Sequence, residues 1–243
     1  MAGTRPSSAK VTRASTRSRS SERAEHNKSA EIADELSGLA LRACGIARDA
    51  VFNVRDFLSN NSRMAFLAIK DCEKELDQIE RRIDEDLPGA ISRVGEDKAR
   101  QLLACLKFIT DLERIGDLAY SATMQLQSRR EKLPARDSQQ LIEMASLLYG
   151  MLEQVHQGFE KRDISYARTV LQTDPEVDRL CHALFQRHLA ESGSGDSPQN
   201  FDILLTAQAL ERIGDHAKNL AEELYGLVEG RSLRHNAKKL SSA

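Results

Sequence analysis

Leu112-Glu113-Arg114-Ile115-Gly116-Asp117 recurs unchanged as Leu210-Glu211-Arg212-Ile213-Gly214-Asp215, and an alanine stands two places beyond each copy, Ala119 and Ala217. Six identical residues at a separation of 98 positions mark an internal duplication. Each copy sets two carboxylates four residues apart, which is one face of a helix. Like charges at that spacing are unfavourable by roughly a few tenths of a kcal/mol. A glycine in a helix interior costs about 1 kcal/mol relative to alanine. A segment duplicated with both unfavourable choices intact calls for a physical reason.

Working outward, each copy falls within a long 3.6-residue apolar pattern. Around the first copy the stripe is Leu102, Cys105, Ile109, Leu112, Gly116 and Ala119. Around the second it is Ile203, Ala207, Leu210, Gly214, Ala217, Ala221 and Leu224. The same reading along the chain predicts six helices, at about 31–58, 61–87, 96–129, 137–162, 164–190 and 198–228. The second is expected to stop at Pro88-Gly89. The fifth is expected to kink or split at Thr173-Asp174-Pro175. The fold class is therefore all-α: two tandem antiparallel three-helix bundles, 31–130 and 131–229, related by the duplication. Residues 1–30 read as a disordered basic tail, residues 230–243 as a flexible one, and Ser192-Gly193-Ser194-Gly195 as a flexible hairpin connection.

Composition narrows the function. The net charge of −2 conceals a split, because residues 1–30 carry seven Lys/Arg against two Glu, which leaves the remainder near −7. An acidic body disfavours nucleic acid as a partner. No apolar run reaches the roughly 20 residues of a membrane span, and the N-terminus has no apolar signal region. Cys44, Cys72, Cys105 and Cys181 are dispersed without C-x-x-C spacing, as expected of reduced, mostly buried thiols. Phosphate-loop, dinucleotide-fold, nucleophile-elbow and H-E-x-x-H signatures are absent, so catalysis has no positive support.

Folding each repeat's last two helices into a hairpin brings further acids opposite the motif. Helix two carries Glu73 and Asp77, and helix five carries Asp174 and Asp178, again four apart. Asp77 is expected near Glu113, and Asp178 near Glu211. Four clustered carboxylates must protonate, pair with arginine or bind a cation. Arg114 and Arg212 follow the glutamates and are expected to point elsewhere. Oxygen-rich sets suit Mg, Mn, Fe or Ca better than soft metals. His182 and His216, close to the second set, could add nitrogen ligands. A solvated acidic face and an ion-pair network remain the alternatives to metal binding. A di-iron centre of the ferritin type is disfavoured, because the single Glu-x-x-His pair, Glu153 to His156, lies away from the acidic hairpins.

The run Leu-Glu-Arg-Ile-Gly-Asp-His-Ala-Lys-Asn-Leu-Ala at 210–221 closely resembles the signature helix of the PhoU family of phosphate-regulon proteins, and 112–119 resembles its first-repeat counterpart. The resemblance extends over about residues 32–228. It implies a cytoplasmic, non-enzymatic, commonly dimeric protein that represses the phosphate-starvation response and restrains phosphate uptake. Its implied partners are the ATPase subunit of the phosphate ABC transporter and a sensor histidine kinase. It also implies multinuclear metal clusters, with Fe, Zn, Mn or Mg as candidate ions. By position, the ligands would be Glu73, Asp77, Glu113 and Asp117 in one repeat and Asp174, Asp178, Glu211 and Asp215 in the other. Where the second repeat has His216 and Asn219 the first has Leu118 and Ser121, so the two sites need not be equal. The rival reading is a metal-storage or metal-dependent helical enzyme working through the same carboxylates, which would require a concave pocket beside them.

Overall fold

Helix formers dominate the chain, and the computed structural model describes residues 9–127, 132–191 and 198–229 as helices joined by short connections. In order these are α1 (Ala9–Asn60), α2 (Arg63–Ile91), α3 (Glu96–Gln127), α4 (Ala135–Lys161), α5 (Ile164–Glu191) and α6 (Pro198–Glu229). No strand occurs among the described residues. Residues 1–8 of the expected disordered tail, the Gly/Ser connection and the C-terminal tail from residue 230 lie outside the described residues.

Three boundaries differ from expectation. α1 starts at Ala9 instead of near residue 31. The segment 9–30 contains neither glycine nor proline, and extending an existing helix costs far less than nucleating one, so a polar composition did not end it. α2 continues past Pro88 to Ile91, where buried Leu87 and Ala90 keep its last turn packed. α5 runs unbroken through Pro175. In both cases proline removes one backbone donor, but tertiary packing retains the helix.

Tight connections fold the helices back on one another. Asn61 adopts a left-handed conformation (φ 50°) after α1, and Ser62 then caps α2, its hydroxyl accepting from the Ala65 N–H at 3.1 Å. α4 ends on Arg162, also left-handed (φ 52°), and Asp163 accepts from the Ser165 N–H at the start of α5.

Ala40, Ala43, Cys44, Ala47 and Ala50 are fully buried along α1, and these small side chains let α2, α3 and α4 approach it closely. α4 plays the same part in the second repeat, packing on α5 and α6 as well as on α1. The repeats therefore meet along two seams, α1 with α4 and α3 with α6. The two motif helices lie side by side. α2 and α5 touch no helix of the opposite repeat, so the α2–α3 and α5–α6 acidic faces are separate.

Candidate functional site

Both motif glycines sit at helix crossings. A Cβ on Gly116 would stand 2.7 Å from Leu76 Cδ1 and 3.5 Å from the Glu73 Cα, so α2 and α3 touch backbone to backbone there. Gly214 is less crowded, its nearest neighbours being Leu148 Cδ2 at 3.4 Å and Val177 Cγ1 at 3.6 Å. Leu112, Ile115, Leu210 and Ile213 are fully buried, which fixes the rotation of α3 and α6 and sends their acids to the margin beside α2 and α5.

In the first repeat, burial pushes the Glu113 carboxyl up to about 7, and the charges of Asp117 and Glu80 push the same way. Glu80 is itself raised by burial, with Asp84, Asp77 and Asp117 adding to the effect and Arg114 opposing it. The first set thus includes a carboxylate that the i, i+4 reading did not single out. Glu80 lies three residues after Asp77 and so shares its face. Glu73 stands at the crossing, its backbone against Gly116.

Arg114, expected to point away, instead lies on the set. Its Nη1 donates to Asp117 Oδ2 at 3.2 Å, and its Nε is 3.5 Å from Glu113 Oε2. The second contact is too poorly aligned for a hydrogen bond, and Glu113 Oε2 has no hydrogen-bond partner among the described residues. Asp77 is paired with Arg81. Both arginines are more than half exposed, so these pairs are weak.

The second repeat brings its four expected acids together. Burial raises the Glu211 carboxyl, as do Asp215, Asp178 and Asp174, and Asp178 rises for the same reasons beside Asp174 and Asp215. Asp174 is 2% exposed, and the Lys218 ammonium donates to its Oδ2 at 2.6 Å. Sequence reasoning passed over this lysine, although 218 lies three residues after Asp215 on the same helix face. Cys181 adjoins the set, but burial and the neighbouring Glu211 and Asp178 push its thiol up to about 11, so it stays protonated at neutral pH.

Neither nearby histidine joins these acids. His216 Nδ1 lies 2.8 Å from Asp111 Oδ1, with Asn219 Nδ2 donating to the same oxygen at 3.3 Å, so it ties α6 to α3. Lys107 extends this polar seam by donating to Glu223. His182 Nε2 is 2.7 Å from Gln186 Nε2.

Hard-cation chemistry suits both donor sets, and each retains a buried oxygen without a hydrogen-bond partner among the described residues, Glu113 Oε2 and Asp174 Oδ1. The side chains are not closed around an ion: no three His, Cys, Asp or Glu residues among those described stand in a metal-holding group. Beside the second set lies an open groove of about 770 Å³ between α5 and α6, bordered by Asp178, Cys181, His182, Phe185, Leu189 and Glu211. No helix among the described residues is long and apolar enough to cross a membrane, and the four cysteines are unpaired.

Known proteins share this arrangement. A family model described as the PhoU domain matches residues 40–124 and again 141–224, one match per repeat. A Burkholderia protein named phosphate-specific transport system accessory protein PhoU homolog is 30% identical over 193 residues, covering 76% of this chain and 82% of its own length. A protein of the same name from Rhizobium meliloti is 28% identical, with 76% and 81% coverage. Among solved structures, PhoU from Pseudomonas aeruginosa superposes with a TM-score of 0.66 at 25% identity, covering 86% of this chain and 99% of that one. The phosphate transport system regulatory protein PhoU from Streptococcus pneumoniae shares the fold, with a TM-score of 0.73 at 21% identity and coverage of 84% and 98%. With the domain model matched in both repeats and a named relative 30% identical over 76% of the sequence, this chain belongs to the PhoU family.

Proposed function

We propose that this protein is a non-enzymatic regulator of phosphate homeostasis. It restrains phosphate uptake and the phosphate-starvation response as a cytoplasmic, homodimeric adaptor between the phosphate ABC transporter's ATPase and a sensor histidine kinase. The observation that carries this reading is the family match across both repeats, together with relatives named as accessory proteins of the phosphate-specific transport system. A deletion strain tests it: phosphate uptake and alkaline phosphatase expression in high phosphate are expected to rise. Unchanged values for both would overturn the proposal.

The carboxylate sets serve, in this reading, as seats for a hard cation. Glu73, Asp77, Glu113 and Asp117, with Glu80 beside them, would hold it in the first repeat. Asp174, Asp178, Glu211 and Asp215 are the corresponding candidates in the second. A bound Fe, Zn, Mn or Mg ion would offset the burial and the mutual repulsion that raise Glu113, Glu80, Glu211 and Asp178. Metal analysis of protein purified without chelators, repeated on Glu113→Gln combined with Asp117→Asn, checks this. Equal metal content in the two preparations would sink it.

One observation favours the rival, enzymatic reading: the groove beside Asp178 and Glu211 is the concave feature such an enzyme needs. A metal-dependent turnover abolished by Asp178→Asn would establish it over the adaptor.

A further inference from the structure

Counted from the leucine of each hexapeptide, the ninth residue differs between the repeats: Tyr120 in the first and Lys218 in the second. Lys218 Nζ donates to Asp174 Oδ2 at 2.6 Å, and Asp174, Asp215 and Asp178 together hold its ammonium above the usual lysine range. Asp174 needs that partner, since at 2% exposure its carboxylate has given up nearly all its water. Its other oxygen, Oδ1, is buried without a hydrogen-bond partner among the described residues, 3.7 Å from where a Cβ on Gly214 would stand.

Among the described residues, no lysine stands in the first set as Lys218 does in the second. Tyr120 turns its ring toward Phe66, 5.8 Å between centroids. The cations that reach the first set, Arg81 and Arg114, are mostly exposed and can swing into water. The set also carries an additional carboxylate: aligned on Asp77 and Asp178, Glu80 occupies the place of Cys181. It therefore holds one more carboxylate, set against arginines that are 68% and 56% exposed where Lys218 is 40% exposed.

We infer that Lys218 is the resident cation of the second acidic set, tethered where a metal ion would otherwise sit, so that metal binding in this chain is confined to the first repeat. The confinement rests on the metal reading above; the assignment of Lys218 does not.

Mn²⁺ titrated into the chelator-treated full-length protein, followed by calorimetry, tests both parts. Asp117→Asn is expected to abolish wild-type binding and Asp178→Asn to leave its stoichiometry unchanged. Lys218→Met is expected to add about one equivalent per chain, lost again when Asp178→Asn is combined with it. Lys218→Arg keeps a cation in place and is expected to add none. Thermal unfolding gives a readout without metal counting: Lys218→Met lowers Tm in chelator, and Mn²⁺ restores it. Lys218→Gln serves if the methionine variant does not fold. A fall in wild-type stoichiometry on Asp178→Asn, or no gain on removing the lysine, would overturn the inference. If the wild type binds no Mn²⁺ while Lys218→Met binds one equivalent, the first-repeat metal reading fails and the assignment of Lys218 stands.

Discussion

The two repeats carry the same hexapeptide but balance its charge in opposite ways. The first crowds Glu113 with Asp117 and Glu80 and leaves the counter-charge to exposed arginines. The second buries one acid, Asp174, and matches it with a lysine from its own motif helix. Duplication preserved the motif helix and its glycine while single positions, 80 against 181 and 120 against 218, changed the charge beside it. The repeats are equivalent as folds and unequal as sites.

The inequality extends to how each bundle is tied together, and this gives the largest expected effect. In the second repeat Asp137, 3% exposed, pairs with Arg187 and lies 3.2 Å from His188 Nε2, while Gln140 Oε1 accepts from Arg187 at 2.8 Å. In the first repeat the ion pairs between α1 and α2, Arg82 with Glu35 and Arg42 with Glu75, are exposed on both sides. Asp137→Ala leaves a buried guanidinium without its carboxylate and is expected to cost about 3–5 kcal/mol. Glu35→Ala should cost less than about 1 kcal/mol. Urea unfolding midpoints at equal m-values measure both. Comparable losses would mean that the buried network holds the second repeat no more firmly than a surface pair holds the first.

Much of this was legible in the sequence, for identifiable reasons. The stripes through Leu112 and Leu210 located α3 and α6 within a residue or two, because long periodic helices leave little ambiguity. The hairpin count placed Asp174 and Asp178 against Glu211 and Asp215, since a short connection fixes antiparallel register. The start of α1 was not legible, because composition argued for disorder where backbone continuity allowed helix. Pro88 was read as a stop and Pro175 as a kink or split, although the packing that carries a helix through proline is tertiary. Glu80 and Lys218 were missed for a different reason. Weighing acids only at i, i+4 ignores the i, i+3 neighbour on the same face, and attention to carboxylates passed over the cation beside them.

The glycines sharpen the comparison at smaller magnitude. Alanine gains about 1 kcal/mol over glycine in a helix interior. At Gly214 the new methyl meets only ordinary contacts, the closest at 3.4 Å, so Gly214→Ala is expected to be neutral or stabilising by up to about 1 kcal/mol. At Gly116 it would meet Leu76 Cδ1 at 2.7 Å, and Leu76 is fully buried with little room to move. Overpacking of that kind costs about 1–3 kcal/mol, which offsets or exceeds the helix gain. Thermal unfolding should place the two variants on opposite sides of the wild type. The same sign for both would show that the α2–α3 crossing is no tighter than the α5–α6 crossing.

The subtlest difference is in pH dependence, read in chelator. Glu113 has a folded pKa near 7 against 4.5 for the ordinary side chain, so between those values the folded protein holds a proton that the unfolded chain has released. Its contribution to stability is therefore complete below about pH 4.5 and is lost as pH rises through 7. Glu113→Gln removes this term without removing the side chain's bulk. The variant should match the wild type near pH 5 and exceed it in Tm near pH 8. A cation seated in the first set favours the ionised carboxylate, so adding Mn²⁺ should abolish or reverse the advantage at pH 8. An advantage that does not change between pH 5 and pH 8 would assign the effect to packing and remove the charge strain that sets the first repeat apart.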